Sequence, residues 1–214
     1  YDVVIVGGGI TGVSTALSLQ KAGKSCLLVE AANIAFGTSG GTTAHLNDFF
    51  DTSFAQAIKD FGLENAKLFA QAGKDAMKVI QNNVKSYGIN CDFEVKNAQL
   101  FALDKKQAQE LDDMIEAAAQ VHHQMKYTNR INFPIPFTKA VEIAEQAQFH
   151  PLKYIKALAE EYTNLDGVIF EGCICKNHQE HEGSIVVETS KGKFTAQQLV
   201  YATHIPPGIN KLHF

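Results

Sequence analysis

The sequence predicts an α/β chain in which a parallel sheet with helices against it is interrupted by a mixed α+β segment. Three observations predict this. Val3 to Val6 is an unbroken apolar run that ends in Gly7, Gly8 and Gly9 and leads into a helical pattern. Similar short runs return at Cys26–Val29, Val168–Phe170 and Gln198–Thr203. They are continuous rather than alternating, as strands buried on both faces require. Between the second and third runs lies a long stretch with helical periodicity and strand-like pieces.

The 214 residues are 45% hydrophobic and 20% charged, enough apolar side chain to build a core and too little charge for a disordered chain. Nineteen Lys and Arg stand against 23 Asp and Glu, a net charge of −4. That balance gives no general attraction to nucleic acid or to anionic membrane. No apolar run approaches the ~18 residues of a membrane span. Four cysteines are too few for a disulfide scaffold and point to a reduced, cytoplasmic setting. The chain begins with Tyr1 rather than Met and stops at Phe214 shortly after a strand, so both ends read as cut.

In order, Val3–Val6 is the first strand. Thr11 to Lys21 is a helix with Val13, Ala16 and Leu17 on one side, and Gly23 follows it as a C-terminal stop. Cys26–Val29 is a second strand, closed by Glu30, which completes a right-handed parallel βαβ unit. Ala35 to Leu46, rich in Gly, Thr and Ser, reads as a loop. Ala55 to Tyr87 is helical through Ala66, Phe69, Gly73, Ala76, Ile80 and Val84, with Gly62 and Gly73 as weak points. Phe93 to Leu103 holds short strand-like runs, Lys105 to Met125 is a helix, and Pro134 and Pro136 make Phe133–Phe137 extended. Val141–Phe149 is a strand. Pro151 opens a helix over Leu152–Tyr162. Val168–Phe170 is a third parallel strand. Cys173–Cys175, Ser184–Thr189 and Phe194 form a small antiparallel element, and Gln198–Thr203 is the last strand.

Gly7-x-Gly9-x-x-Gly12 thus follows a strand and opens a helix. The first glycine allows a tight turn, the second lets backbone approach a pyrophosphate, and the third lets helix and strand pack closely. The helix N-terminus turns free N–H groups towards the phosphates. Glu30, at the end of the next strand, is placed to accept hydrogen bonds from ribose hydroxyls, and a carboxylate there disfavours NADP. The fold class is therefore a Rossmann-like, FAD/NAD(P)-binding, three-layer domain interrupted by a mixed α+β substrate domain. Residues 1–50 and 150–206 are expected to form the nucleotide-binding part, 51–149 the insertion, and 207–214, as the family resemblance given next implies, the start of a missing C-terminal half. The fingerprint does not choose between FAD and NAD. The Gly/Thr loop and the long insertion before the sheet resumes favour a flavoprotein.

Four segments then carry a likeness: VVIVGGGITGVSTALSLQKAGKSCLLVE, GTSGGTTAHL, QAQFHPLKYIKALA and LVYATHIPP. The chain resembles FAD-dependent oxidoreductases of the D-amino acid oxidase/glycine oxidase type, and most of all the branch often fused to a C-terminal Rieske domain. The resemblance implies that Gly7, Gly9, Ile10, Thr11 and Gly12 surround the FAD pyrophosphate and that Glu30 holds the adenosine ribose. It implies that Thr38, Ser39, Thr42, Thr43 and Ala44 line the loop running towards the flavin ring. Cys175 matches a position whose backbone meets the adenine, and Ala202 and Thr203 match a cofactor-side motif. His204 replaces the glycine expected there, and Gly41 and His45 stand where relatives carry larger or basic residues.

The implied chemistry is oxidation of a C–N bond in an amine or amino acid by hydride transfer to flavin N5. The protein binds, orients and tunes the cofactor. The catalytic residues are unassigned; His45 is a candidate, since its loop should approach the flavin. The resemblance leaves room for a Rieske 2Fe-2S centre in the part beyond this chain, and the 214-residue piece alone is expected to hold FAD weakly or not at all. The alternatives are an NAD-dependent dehydrogenase or a non-catalytic flavin electron-transfer component. The partner is a small amine or amino-acid-like substrate; the electron acceptor is unassigned.

Two further constellations read as structural. Cys173-x-Cys175-x-x-His178-x-x-His181 has zinc-ligand residue types, but its cysteines fall on a strand and its histidines in a polar turn. His122 and His123, adjacent near a helix end, point in different directions and read as a surface or edge pair.

Overall fold

A computed structural model describes residues 1–205; the expected start of a C-terminal half at 207–214 lies outside them. The chain divides into two units, Tyr1–Thr43 with the segment from His150 onward, and Ala44–Phe149.

The first unit contains β1 (Val3–Val6), α1 (Ile10–Lys21), β2 (Cys26–Val29) and a one-turn helix α2 (Thr38–Gly41). The second unit runs through β3 (His45–Leu46), α3 (Phe54–Phe61), α4 (Leu63–Ser86), β4 (Glu94–Ala102), α5 (Lys105–Gln120), β5 (Lys126–Thr128) and β6 (Lys139–Gln148). The chain then returns to the first unit as α6 (Pro151–Asn164), β7 (Val168–Phe170), β8 (Cys175–His181), β9 (Ser184–Thr189), β10 (Gly192–Ala196) and β11 (Gln198–Tyr201).

In the first unit a parallel sheet has the order β11-β1-β2-β7. Its alternating residues serve two layers. Val4, Val6, Leu27 and Val29 pack with Cys173, Val187 and Ala196 of the segment carrying the antiparallel sheet β10-β9-β8. Val3, Ile5, Cys26 and Leu28 alternate with them, and α1 and α6 lie side by side against the parallel sheet. There α1 buries Val13, Ala16 and Leu17, and α6 buries Tyr154, Ile155, Leu158 and Tyr162. Helix layer, parallel sheet and antiparallel sheet make three layers. Each fully buried Val or Leu stabilises them by about 1.5–3 kcal/mol. Pro151 opens α6, where its missing N–H costs nothing. Near its end the Tyr162 hydroxyl donates to the Cys26 carbonyl (2.6 Å) and accepts from the Val168 N–H (3.2 Å). Burial pushes this phenol well above its ordinary pKa. Gly167 permits the contact, since a Cβ there would lie 2.3 Å from the Tyr162 ring.

In the second unit β6 is central: β3, β4 and β5 all pair with it antiparallel. Helices α3, α4 and α5 contribute Phe54, Ala57, Ala66, Ala70, Ala117 and Ala118 to a core that includes Ile143 of β6. Two side-chain caps fix helix starts: Ser53 Oγ accepts the Gln56 N–H and Asp104 Oδ1 the Gln107 N–H. Gly62, at φ +79°, ends α3 and starts α4. Gly73, in contrast, continues α4 and leaves room for the Phe50 ring.

The structure corrects several local expectations. The Ala35–Leu46 loop contains α2 and β3. Because β3 pairs with β6, the first unit ends at Thr43 rather than near position 50. Phe93–Leu103 contains one nine-residue strand, since β6 offers it a continuous partner. The helix expected to reach Met125 stops at Gln120. His178 and His181 lie on β8, not in a turn: β9 pairs with that polar strand along its length.

Candidate functional site

The carboxyl ends of β1, β2 and β11 open onto a cavity of about 760 Å³. Its wall is mostly backbone, and the reason is steric. Gly7 has φ +114°, and a Cβ on it would sit 2.5 Å from the Ala202 carbonyl oxygen. A Cβ on Gly8 would meet Ile34 and Glu30 at 2.8–2.9 Å. Gly9, at the mouth of α1, has Ser39 Oγ at 3.0 Å from the same position. Side chains at these positions would fill the concavity or push its walls apart.

The first turn of α1 faces this space. Ser39 Oγ, carried by α2, accepts the Ile10 N–H (3.1 Å), and Val13 closes onto the Gly9 carbonyl (3.0 Å). The helix start has no side-chain cap on Gly9 and presents the partial positive charge of its N–H groups. Glu30 stands at the end of β2. Its Oε2 accepts the Gly8 N–H (2.6 Å) and its Oε1 the Ala32 N–H (2.7 Å). The carboxylate therefore pins the glycine turn. A carboxylate has about four acceptor sites, so capacity remains for two further donors.

Of the residues singled out from sequence, the cavity gathers Gly7, Gly9, Ile10, Thr11, Glu30, Thr38, Ser39, Cys175, Ala202 and Thr203. Gly12 is not on its wall. A Cβ there would lie 1.8 Å from the Gly7 carbonyl oxygen, so its bareness serves the helix–strand contact. Thr42 and Thr43 follow α2 and do not line the cavity, and Ala44 opens the second unit at φ +67°. His45, in β3, lines a second-unit cavity of about 470 Å³ with Asn47, Gln99 and Gln146.

Among the lining residues not singled out as ligands are two exposed apolar side chains. Phe36 is 76% exposed, and Ile174 is also exposed. Behind Cys175, the Tyr201 hydroxyl meets His178 Nδ1 (2.8 Å) and lies 3.9 Å from Cys175 Sγ. Burial pushes the Tyr201 phenol to about 12 and raises the Cys175 thiol. His204 sits at φ +66°, the conformation the absent glycine would adopt without strain.

The second unit holds a cluster that sequence reasoning missed. Asp48 Oδ1 accepts from the Gln146 amide (2.7 Å) and pairs with His123 Nε2 (2.7 Å). Gln146 Oε1 accepts the Asp48 N–H (2.8 Å). All three residues are buried. Burial draws the Asp48 pKa upward, but the hydrogen bonds and charge of His123 and the Gln146 amide outweigh it and hold the carboxyl below 3.8. The expectation of a surface His pair is thus wrong for His123. The helix ends early, His122 takes φ +59°, and the chain turns His123 inward. Gln146 is aimed by a bulge in β6, where Ala144 and Glu145 oppose Asn97 alone.

A glycine turn and helix start at the carboxyl end of a parallel sheet, with an acid closing the second strand, define a dinucleotide-binding α/β protein. The chain belongs to the DAO family of FAD-dependent oxidoreductases, which matches residues 2–206. It is 31% identical to the Bacillus subtilis protein YhfW, described as a Rieske 2Fe-2S iron-sulfur protein, over 96% of this chain and 40% of that one. It is 27% identical to Escherichia coli gamma-glutamylputrescine oxidoreductase over 94% of this chain and 48% of that one. The Geobacillus kaustophilus glycine oxidase structure superposes with a TM-score of 0.76 at 18% identity, over 94% of this chain and 55% of that one. The chain spans about half the length of the curated relatives it matches. The family binds FAD, and the bare glycine cradle, the helix start and Glu30 fit its pyrophosphate and ribose. Among the described residues no helix is long and apolar enough to cross a membrane.

Proposed function

We propose that the full-length protein is an FAD-dependent oxidoreductase that oxidises the C–N bond of an amine or amino acid. The observation that carries this reading is the 760 Å³ cavity at the carboxyl ends of β1, β2 and β11, with the backbone of Gly7–Gly9 in its wall and Glu30 beside it. Relatives named as glycine oxidase and gamma-glutamylputrescine oxidoreductase support the substrate class.

In this reading the N–H groups at the start of α1 hold the pyrophosphate, and Glu30 offers its remaining acceptor sites to the ribose hydroxyls. Thr38, Ser39, Thr42 and Thr43 guide the cofactor onward, with Ala44 at the boundary of the second unit. Cys175 meets the adenine through backbone, with its thiol kept protonated by burial. Ala202 and Thr203 close the cofactor's near side. FAD, when bound, supplies the electron-accepting N5 for the hydride of the substrate carbon. His45 is a candidate for tuning that chemistry, and a Rieske centre is a candidate electron partner beyond this chain.

The test is anaerobic mixing of the full-length protein with a panel of amino acids and primary and secondary amines. Bleaching of the flavin band by one or more of them, and not by NADH, is expected. No reduction by any amine, with rapid reduction by NADH, would replace this reading with a dehydrogenase or an electron-transfer component.

A further inference from the structure

Two apolar side chains on the wall of the 760 Å³ cavity stand in water although the backbone that carries them is fixed. Phe36 is 76% exposed and Ile174 54%. Around Phe36 the chain is tied down. The Ala35 N–H donates to the Gly8 carbonyl (2.9 Å), the Phe36 N–H to the Asn33 carbonyl (3.0 Å) and the Ile34 N–H to Glu171 Oε1 (2.6 Å). Ile34 and Ala35 are buried. Ile174 follows the buried Cys173, and both its peptide groups are bonded to Ser190. Its N–H donates to Ser190 Oγ (3.0 Å), and its carbonyl accepts the Ser190 N–H (2.9 Å). Each residue therefore offers the cavity an apolar side chain on a rigid stem.

Strand order decides which part of a dinucleotide reaches them. In a doubly wound sheet the glycine turn after the first strand takes the pyrophosphate, and the acid closing the second takes the ribose. The base on that ribose then lies beyond β2, away from β1, and the next strand on that side is β7. Phe36 is on the segment that leaves β2, and Ile174 on the one that leaves β7. These segments are stitched together: the Gly172 N–H donates to the Ala32 carbonyl (2.8 Å) and the Cys173 N–H to the Glu30 carbonyl (2.8 Å). The other end of the dinucleotide runs towards β11, on the opposite side of β1.

We propose that Phe36 and Ile174 flank the adenine of FAD, with Phe36 stacking on the base and Ile174 packing against it. The inference rests on the FAD-binding reading of the first unit and adds two residues that recognise the base by its apolar faces. A purine presents two large π-faces, which an aromatic ring covers without help from a polar side chain. The contact also takes the exposed phenyl ring and the exposed Ile174 side chain out of water. Recognition of this kind survives exchange of one aromatic ring for another and not the loss of the ring.

The experiment compares full-length wild type, Phe36→Ala, Phe36→Tyr and Ile174→Ser, each freed of flavin and titrated with FAD, ADP and ribose 5-diphosphate. Flavin fluorescence reads FAD binding, and calorimetry reads the other two. Both positions are exposed, so the variants should keep the fold, which circular dichroism checks. Phe36→Ala should weaken FAD and ADP about tenfold and leave ribose 5-diphosphate, which lacks the base, unchanged. Phe36→Tyr should match wild type, and Ile174→Ser should lose about threefold for FAD and ADP. Equal weakening of ADP and ribose 5-diphosphate by Phe36→Ala overturns the proposal. So does unchanged ADP binding, which would mean that Phe36 covers another part of the chain, or a Phe36→Tyr variant as weak as Phe36→Ala. A protein that binds FAD and is bleached by amines, while its ADP binding ignores Phe36, sinks this proposal alone and leaves the oxidoreductase reading standing.

Discussion

The two units build polar concavities in opposite ways. The first is made by leaving atoms out. Gly7, Gly8 and Gly9 lack the Cβ atoms that would collide with Ala202, Glu30, Ile34 or Ser39, and the space that remains is walled largely by backbone. The second is made by bringing side chains in. Asp48, His123 and Gln146 meet across 75 and 98 residues of sequence separation. The first design is local and limited by sterics; the second is non-local and limited by mutual hydrogen bonding.

If that contrast holds, the worst change in the first unit adds an atom. Gly12→Ala places a methyl 1.8 Å from the Gly7 carbonyl oxygen. A loss of about 3 kcal/mol or more is expected in urea unfolding, because backbone on both sides must shift. Near-normal stability would mean that α1 packs less closely on β1 than described.

In the second unit the worst change removes an atom group. Asp48→Ala leaves His123 Nε2 and the Gln146 amide without their acceptor, and about 2–4 kcal/mol of stability should go. A pH series sharpens the point. The Asp48 pKa is lowered on folding from 3.8, so folding favours the ionised form. Its contribution is complete above the unfolded value and is lost as pH falls through the folded one. Wild type should therefore lose more stability than Asp48→Asn on acidification below about pH 4. Parallel curves would remove Asp48 from the account.

Tyr162→Phe tests a bond that joins helix and sheet layers within the first unit. It leaves the Cys26 carbonyl and the Val168 N–H without the hydroxyl, and about 1–2 kcal/mol is expected. The smallest effect has the opposite sign. His204→Gly relieves a non-glycine residue at φ +66°, and the gain, offset by glycine's extra unfolded-chain entropy, is about 0–1 kcal/mol. Thermal unfolding resolves it as a rise of a few degrees at most.

The same contrast explains what could be read in advance. Val3–Val6, the glycine triplet, α1, Cys26–Val29 and Glu30 are consecutive, so spacing alone places them, and ten of the residues marked from sequence do line one cavity. Gly12 was recognisable as a packing glycine from the same spacing. His123 was not legible, because its inward turn depends on a helix ending at Gln120 and on His122 adopting φ +59°. Gln146 faces Asp48 only because β6 bulges at Ala144 and Glu145, a register fact that no single strand's pattern contains. The polar run of β8 looked like a turn because its partner strand, rather than its own alternation, makes it a strand.

The most direct test of the central claim is the flavin content of the protein purified from its full reading frame, as wild type and as Glu30→Ala. A yellow wild type that releases about one FAD per chain on denaturation, and a variant with FAD affinity weakened about tenfold, is the predicted result. A colourless wild type that binds NAD, or a variant that holds FAD as tightly as wild type, would contradict it.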